Sequence, residues 1–254
     1  MFSLAGKKAL VVGIANDQSI AWGVAQALHR GGAQVAVTYL NAKAEPHVRP
    51  LAEQIGSSLI CPLDVSVPGQ DEALFQQIQQ QWGELDVLVH SIAFAPRQDL
   101  HGRVVDASLQ GFVAAMDVSV HSFIRLTRLA EPLMAQGGAC MAMSYYGAEK
   151  VVEGYNLMGP VKAALEATVR ELAAELGDKN ISVNALSPGP MLTRAAGGIA
   201  QFDALMDRAV QQAPMHRLAT PDDVGALAAF LACEQARNIT GNVIHVDAGA
   251  HIMG

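Results

Sequence analysis

Tyr155 and Lys162 stand seven positions apart in the stretch Ser144 to Lys162. That stretch reads as the end of a buried strand, a short loop and the first turns of a long helix. Val161, Leu165, Thr168/Val169, Leu172 and Leu176 recur at helical spacing, and Gly177 is a plausible stop. At about 100° per residue, seven residues make nearly two turns. Both side chains then share one face, about 10 Å apart along the axis, and can bridge one ligand. A phenol is a weak acid and a hydrogen-bond donor at neutral pH. A nearby ammonium makes it a better donor, and a donor aimed at a carbonyl oxygen stabilises negative charge developing there. The same residues would equally suit a half-buried tyrosine and a solvated lysine.

A second pair, Tyr146 and Lys150, has the tighter Tyr-x-x-x-Lys spacing. Its position argues against it. Tyr146 follows the apolar run Ala139 to Met143 too closely to lie on the helix, and Gly147 disfavours helix there.

The elements that must position these residues alternate along the chain. Strands are predicted at 7–13, 34–40, 59–64, 85–93, in a run ending at Ser144, at 181–187 and at 242–246. Helices are predicted at 19–31, 45–55, 71–82, 109–135, after Tyr155, and from Thr220-Pro221-Asp222-Asp223, which has a cap, an early proline and acids in the first turn. The strands are short, apolar and rarely alternating, as in a parallel sheet covered on both faces. The expected fold class is therefore α/β: a doubly wound parallel sheet of Rossmann type, about seven strands, in a single domain spanning 1–254.

Composition narrows the function. The chain has 254 residues, 51% of them hydrophobic, and a net charge of −7 with no basic run, which argues against nucleic-acid binding. Cys61, Cys140 and Cys233 are scattered and odd in number, so a disulfide framework is not expected. No apolar run reaches membrane-span length and the N-terminus shows no cleavage-type signal, so a cytoplasmic location is expected. The eight histidines show no ligand spacing, so no metal is expected.

Ligands of such a sheet sit beyond the carboxyl ends of the strands. The first βα turn, Gly13 to Gly23, lacks G-x-G-x-x-G spacing. Gly13 still permits a tight turn, and Ser19 with the following helix N-terminus could bind a diphosphate, although an ordinary βα turn fits equally well. Asp64 ends the third strand within reach of an adenine amine. Ser91-Ile92-Ala93-Phe94-Ala95 ends the fourth with small residues. Pro188-Gly189-Pro190 makes a stiff exit from the sixth, and Thr193 follows within reach of a nicotinamide.

Together these residues resemble the short-chain dehydrogenase/reductase superfamily, and within it the bacterial NADH-dependent enoyl-acyl-carrier-protein reductases of fatty acid synthesis. The resemblance spans essentially the whole chain. It rests on Gly13-Ile14-Ala15 with Ser19 to Gly23, on His90 to Pro96, on Ser144-Tyr145 with Tyr155-Asn156-x-Met158-Gly159-x-x-Lys162, and on Ser187 to Pro190 with Thr193 to Ala196. Tyr-x6-Lys in place of Tyr-x3-Lys is that family's distinguishing mark.

The resemblance implies roles. Tyr155 would face the thioester carbonyl, with Tyr145 nearby. Lys162 would hold the nicotinamide ribose, its distance leaving it little direct action on the phenol. Gly13, Ser19 and Ile20 would serve the diphosphate, Asp64 and Val65 the adenine, and Ile92 the ribose. Met191, Leu192, Thr193, Arg194 and Ala195 would meet the carboxamide, and Ala95 the acyl group. The implied partner is acyl carrier protein, and the implied assembly a homotetramer pairing 109–135 and 155–176 about a two-fold axis.

Leu40 and Asn41, at the cofactor side of the second strand, offer no charge for a 2′-phosphate, and Lys43 is the nearest cation. NADH is therefore expected over NADPH. The segment 191–218 is expected to be a lid. Its Arg194, Arg208, His216 and Arg217 are offset by Asp203 and Asp207, so steering of an acidic carrier should be modest. Pro160 would interrupt the helix of Lys162. A ketoreductase using Tyr146, an enoyl-CoA reductase outside the main pathway and a non-catalytic dinucleotide sensor remain the competing readings.

Overall fold

Alternate residues of β1 (Lys8–Val12) enter two different cores. Leu10 and Val12 join one, and Ala9 and Val11 the other. A strand buried on both faces must be apolar at every position, which is why this stretch shows no alternation. The computed structural model describes residues 3–191 and 202–253.

Six further strands complete one parallel sheet: β2 (Gln34–Tyr39), β3 (Ile60–Pro62), β4 (Val87–His90), β5 (Gly138–Met143), β6 (Ile181–Pro188) and β7 (Val243–Val246). Their order is β3-β2-β1-β4-β5-β6-β7. The chain winds outward from β1 to β3, then returns to add β4 on the other side of β1. The crevice between β1 and β4 is thus the switch point where such sheets bind ligands.

Helices α1 (Ile20–Arg30), α2 (Glu45–Gln54) and α9 (Pro221–Leu231) cover one face. Helices α3 (Gln70–Gln81), α5 (Leu109–Met116), α6 (Ser122–Ala130) and α7 (Met158–Leu176) cover the other. A short α4 (Arg97–Leu100) follows β4, and α8 (Phe202–Gln212) precedes α9. Gly23 and Gly225 let α1 and α9 touch backbone to backbone. A Cβ at Gly225 would lie 2.5 Å from the Gly23 carbonyl oxygen. Helix α9 opens as expected, with Thr220 and Asp223 forming a reciprocal capping box.

Two helical expectations hold and one needs correction. The helical region expected over 109–135 runs without a gap from Leu109 to Leu133, through α5, a π turn at Asp117–His121, α6 and a closing 3₁₀ turn at Glu131–Leu133. Helix α7 ends at Leu176 with Gly177 as its C-cap. Gly177 stays right-handed, a 3₁₀ turn follows, and the reversal falls on Asn180 at φ 59°. The correction is that α7 begins at Met158, so Tyr155 is not on it. Pro160 is then the third residue of the helix, where its missing N–H would have had no intrahelical partner. It breaks no hydrogen bond, contrary to the expected interruption.

Candidate active site

Tyr155 is held by a turn, not by helical periodicity. Its N–H donates to the Val152 carbonyl at 3.1 Å, and its carbonyl accepts from Met158 N at 3.0 Å. Between them Asn156 takes a left-handed φ of 41°. The Asn156 amide donates to the Leu100 carbonyl at 2.8 Å, which ties the turn to the segment leaving β4. The Tyr155 ring is nine-tenths buried and stands edge-on to Tyr145, with centroids 4.7 Å apart and planes at 62°. Gly147 leaves room for the ring, since a Cβ there would lie 2.4 Å from Tyr155 Cδ1. Burial raises the Tyr155 phenol above its ordinary pKa, and Tyr145 and Glu166 push the same way. Burial likewise lifts Tyr145 to about 12. Both phenols are therefore protonated donors at neutral pH. The phenol's raised pKa has burial as its first cause, and Lys162 is not among the groups acting on it.

Lys162 lies in the second turn of α7, only 4% exposed. Its Nζ donates to the Met143 carbonyl at 2.6 Å, at the end of β5. Burial lowers its pKa to about 8, and Glu166, one turn further on, pulls the other way. The next residue of the chain after Met143, Ser144, donates to Glu166 Oε1 at 2.5 Å.

Along the sheet's carboxyl edge, Gly13 turns at φ 104°, and a Cβ there would meet the Ser91 carbonyl oxygen at 2.1 Å. The switch-point crevice therefore admits only glycine at this position. Ser19 does not point outward for a phosphate. Its Oγ accepts from Ala15 N and Asn16 N, each at 3.0 Å, and shapes the loop. The N–H groups of Ile20 and Ala21, in the uncapped first turn of α1, have no acceptor among the described residues. That cradle fits a diphosphate.

Asp64 accepts from Ser66 N at 3.0 Å and Ser66 Oγ at 2.5 Å, so part of its acceptor capacity toward an adenine is already used. Val65 is buried, and its carbonyl accepts from Arg125 at 2.5 Å. Ile92 and Ala95 are partly buried against the core at the exit of β4. Leu40 is 53% exposed at the end of β2, and Met191 is buried. Leu192, Thr193, Arg194 and Ala195 lie outside the described residues.

Several site residues escape a reading by motif. Ser119, in the π turn, clamps the β4 exit: its Oγ accepts from Phe94 N at 3.0 Å and donates to the Phe94 carbonyl at 3.2 Å. A serine between Val118 and Val120 was the available signal. Arg125 joins Val65 to Asp71 and Asp117. Glu166 is a carboxylate on the buried side of an apolar helix face, at i+4 from Lys162.

The second pair, Tyr146 and Lys150, makes other contacts. Tyr146 opens a 3₁₀ turn and meets His245 edge-on at 6.3 Å, and Lys150 is exposed. Among the described residues, His245, Asp247 and His251 bring one possible metal-ligand atom each within 4.8 Å, a grouping that the linear spacing concealed. Their present chemistry is that of a tie for the C-terminal turn. Asp247 accepts from Gly249 N, His251 N and His251 Nδ1. The two imidazoles stack at 3.8 Å and 9°, so their in-plane lone pairs run side by side rather than converging.

A doubly wound parallel sheet, a glycine-only switch-point turn and a buried tyrosine–lysine pair at its carboxyl edge define a Rossmann-type oxidoreductase. The chain belongs to the enoyl-(acyl carrier protein) reductase family, whose model matches residues 13–251. It is 48% identical to the enoyl-[acyl-carrier-protein] reductase [NADH] of Aquifex aeolicus, over 99% of this chain and 93% of that protein. The Aquifex crystal structure superposes with a TM-score of 0.95 and 99% coverage of both chains. The reductase of Anaplasma phagocytophilum in complex with NAD is 45% identical, with a TM-score of 0.95 and coverage of 100% and 97%. The Bacillus cereus reductase, crystallised with NADP+ and an indole naphthyridinone, is 42% identical with a TM-score of 0.97 over the whole of both chains.

Proposed function

We propose that the protein reduces trans-2-enoyl-acyl-carrier-protein thioesters to the saturated thioesters with NADH, the last reductive step of fatty acid elongation. The observation that carries this reading is the buried, protonated Tyr155 packed against Tyr145, two residues past the end of β5, where the Met143 carbonyl holds Lys162. Family membership and the NADH in the names of its relatives support it.

NADH, when bound, supplies the hydride that goes to the β-carbon of the enoyl group. Gly13, the free N–H groups after Ser19, Ile20, Asp64, Val65, Ile92, Leu40 and the segment 191–195 would hold it. Lys162 keeps one N–H on Met143 O and has two left for the ribose hydroxyls. Tyr155 donates its O–H to the thioester oxygen as the carbon–carbon double bond gives up its π electrons and an enolate develops. A proton from solvent then reaches the α-carbon, the carbonyl re-forms, and Tyr155 ends as it began. Its raised pKa suits a donor that stabilises an oxyanion without surrendering its proton. Tyr145 fixes the phenol's direction by its edge contact.

The chain would act as one domain over 1–254, with 191–218 as a lid, in the cytoplasm and as a homotetramer. The exposed apolar side chains Val105, Leu109 and Val113 support assembly through the region of α5. Arg208 in α8 already pairs with Glu153 at 3.2 Å, which leaves fewer free cations to meet an acidic carrier.

The test is NADH oxidation with enoyl and 3-ketoacyl thioesters side by side. Turnover of the enoyl substrate alone is expected. Consumption of the ketoacyl substrate in its place would overturn the reading.

A further inference from the structure

Glu166 has no part in the chemistry above, yet it is a buried carboxylate on the helix that carries Lys162. It is 7% exposed, on the same face of α7 as Lys162 and one turn beyond it. Two consecutive residues at the end of β5 engage this pair. The Met143 carbonyl accepts a hydrogen bond from Lys162 Nζ at 2.6 Å, and the Ser144 hydroxyl donates one to Glu166 Oε1 at 2.5 Å. A buried carboxylate is costly unless it is paired and hydrogen-bonded. Burial raises Glu166 above its ordinary pKa, opposed first by the Ser144 hydroxyl and then by Arg170 and Lys162. The other charged or titratable groups facing the pair are Glu149 beyond β5, Arg170 on the next turn of α7, Tyr155 and Tyr145 on the substrate side, and His90 at the end of β4.

We propose that Glu166 is a positioning residue for the reaction: its carboxylate, fixed by Ser144, holds the neighbouring Lys162 as an ammonium directed at the ribose of the cofactor. The proposal rests on the assignment of Lys162 to the ribose. Burial alone would drive Lys162 toward its neutral form, whose lone pair cannot donate. The carboxylate one turn away is the group that opposes this. A neutral lysine would keep its place in the packing and lose its strength as a donor.

The experiment is NADH affinity against pH for the full chain, read by quenching or enhancement of cofactor fluorescence. In the parent protein affinity falls as pH rises through about 8, where Lys162 loses its proton. Glu166→Gln keeps an acceptor for Ser144 but removes the charge. Its affinity should match the parent at pH 6 and fall away at least one pH unit earlier, giving about a fivefold deficit near pH 8 that approaches tenfold above about pH 9. Ser144→Ala, a small change that strips the carboxylate of its donor, should shift the curve in the same direction by less. Glu166→Asp should restore the parent curve. A uniform loss at every pH would mean a packing role only, and an unshifted curve in both Gln and Ala variants would likewise overturn the proposal. Lys162→Ala separates the two readings. If it binds NADH as the parent does at pH 6, the ribose assignment itself fails. If it loses binding while Glu166→Gln keeps the parent curve, only the role of Glu166 fails.

Discussion

The ring of Tyr155 meets the ring of Tyr145 edge-on, 4.7 Å between centroids, with Gly147 against both rings. The Tyr155 phenol, proposed as the catalytic group, is thereby held by packing, without a hydrogen bond to its oxygen from any described residue. Tyr155→Phe keeps this packing and removes only the donor. Turnover of an enoyl thioester should fall about 100- to 1000-fold, with NADH affinity unchanged. Tyr146→Phe, beside His245, should leave turnover within about twofold. Steady-state rates and cofactor titrations on the two variants check this, and the reverse ranking would move the site to Tyr146.

Lys162 is held at a cost. Its pKa falls from 10.5 to about 8 on folding. Between those values the unfolded chain binds the proton and the folded chain does not, so folding gains stability as pH rises from about 8 to 10.5. Below about 8 the full penalty for burying the charge applies. Lys162→Met should therefore stabilise the ligand-free protein at pH 7, by about 1–3 kcal/mol after allowing for the lost bond to Met143. It should also abolish NADH binding. Denaturant melts at pH 7 and pH 10 would check the sign: the advantage of the methionine variant should shrink at the higher pH.

Ser119 holds Phe94 at both its N–H and its carbonyl from within a π turn. Such turns recur at functional sites because they displace one residue from helical register. Ser119→Ala should free the β4 exit, where Ala95 is assigned to the acyl group. KM for the enoyl substrate should rise about threefold or more, while affinity for NADH changes less. Equal effects on both ligands would count against this division of labour.

The cofactor choice has its own test. Leu40 is exposed, and the cation next in space to its neighbour Tyr39 is Arg49, already held by Glu45 at 2.9 Å through Nε. Arg49 is thus not free for a 2′-phosphate, which leaves the exposed Lys43, past the strand end. Catalytic efficiency with NADH should exceed that with NADPH at least tenfold, and Leu40→Arg should narrow the gap. A parent enzyme that prefers NADPH would contradict this.

The sheet was legible because its strands are apolar on both faces, and the capping box at Thr220 because its partners are three residues apart. The site was legible as a set of residues but not as a geometry. Helical periodicity was extended back through Tyr155, although Asn156, the residue that breaks it, tolerates positive φ better than most. Ser119, Arg125 and Glu166 act across elements far apart in sequence, and no local spacing announces them. Ser19 was read as a phosphate ligand from its place before a helix. Its hydroxyl is spent instead on Ala15 and Asn16, a choice that only the loop's three-dimensional path decides.

The turn at Asn156 separates the two halves of the site mechanically. Lys162 is carried by a 19-residue helix packed into the core, whereas Tyr155 rides on a short loop pinned through Leu100 to the segment leaving β4. On the proposed roles, the group for the cofactor is referenced to the scaffold and the group for the substrate to the segment leaving β4, proposed as a wall of the acyl site. Changes in that wall can re-aim the phenol toward acyl groups of different bulk while the grip on the ribose stays where it is.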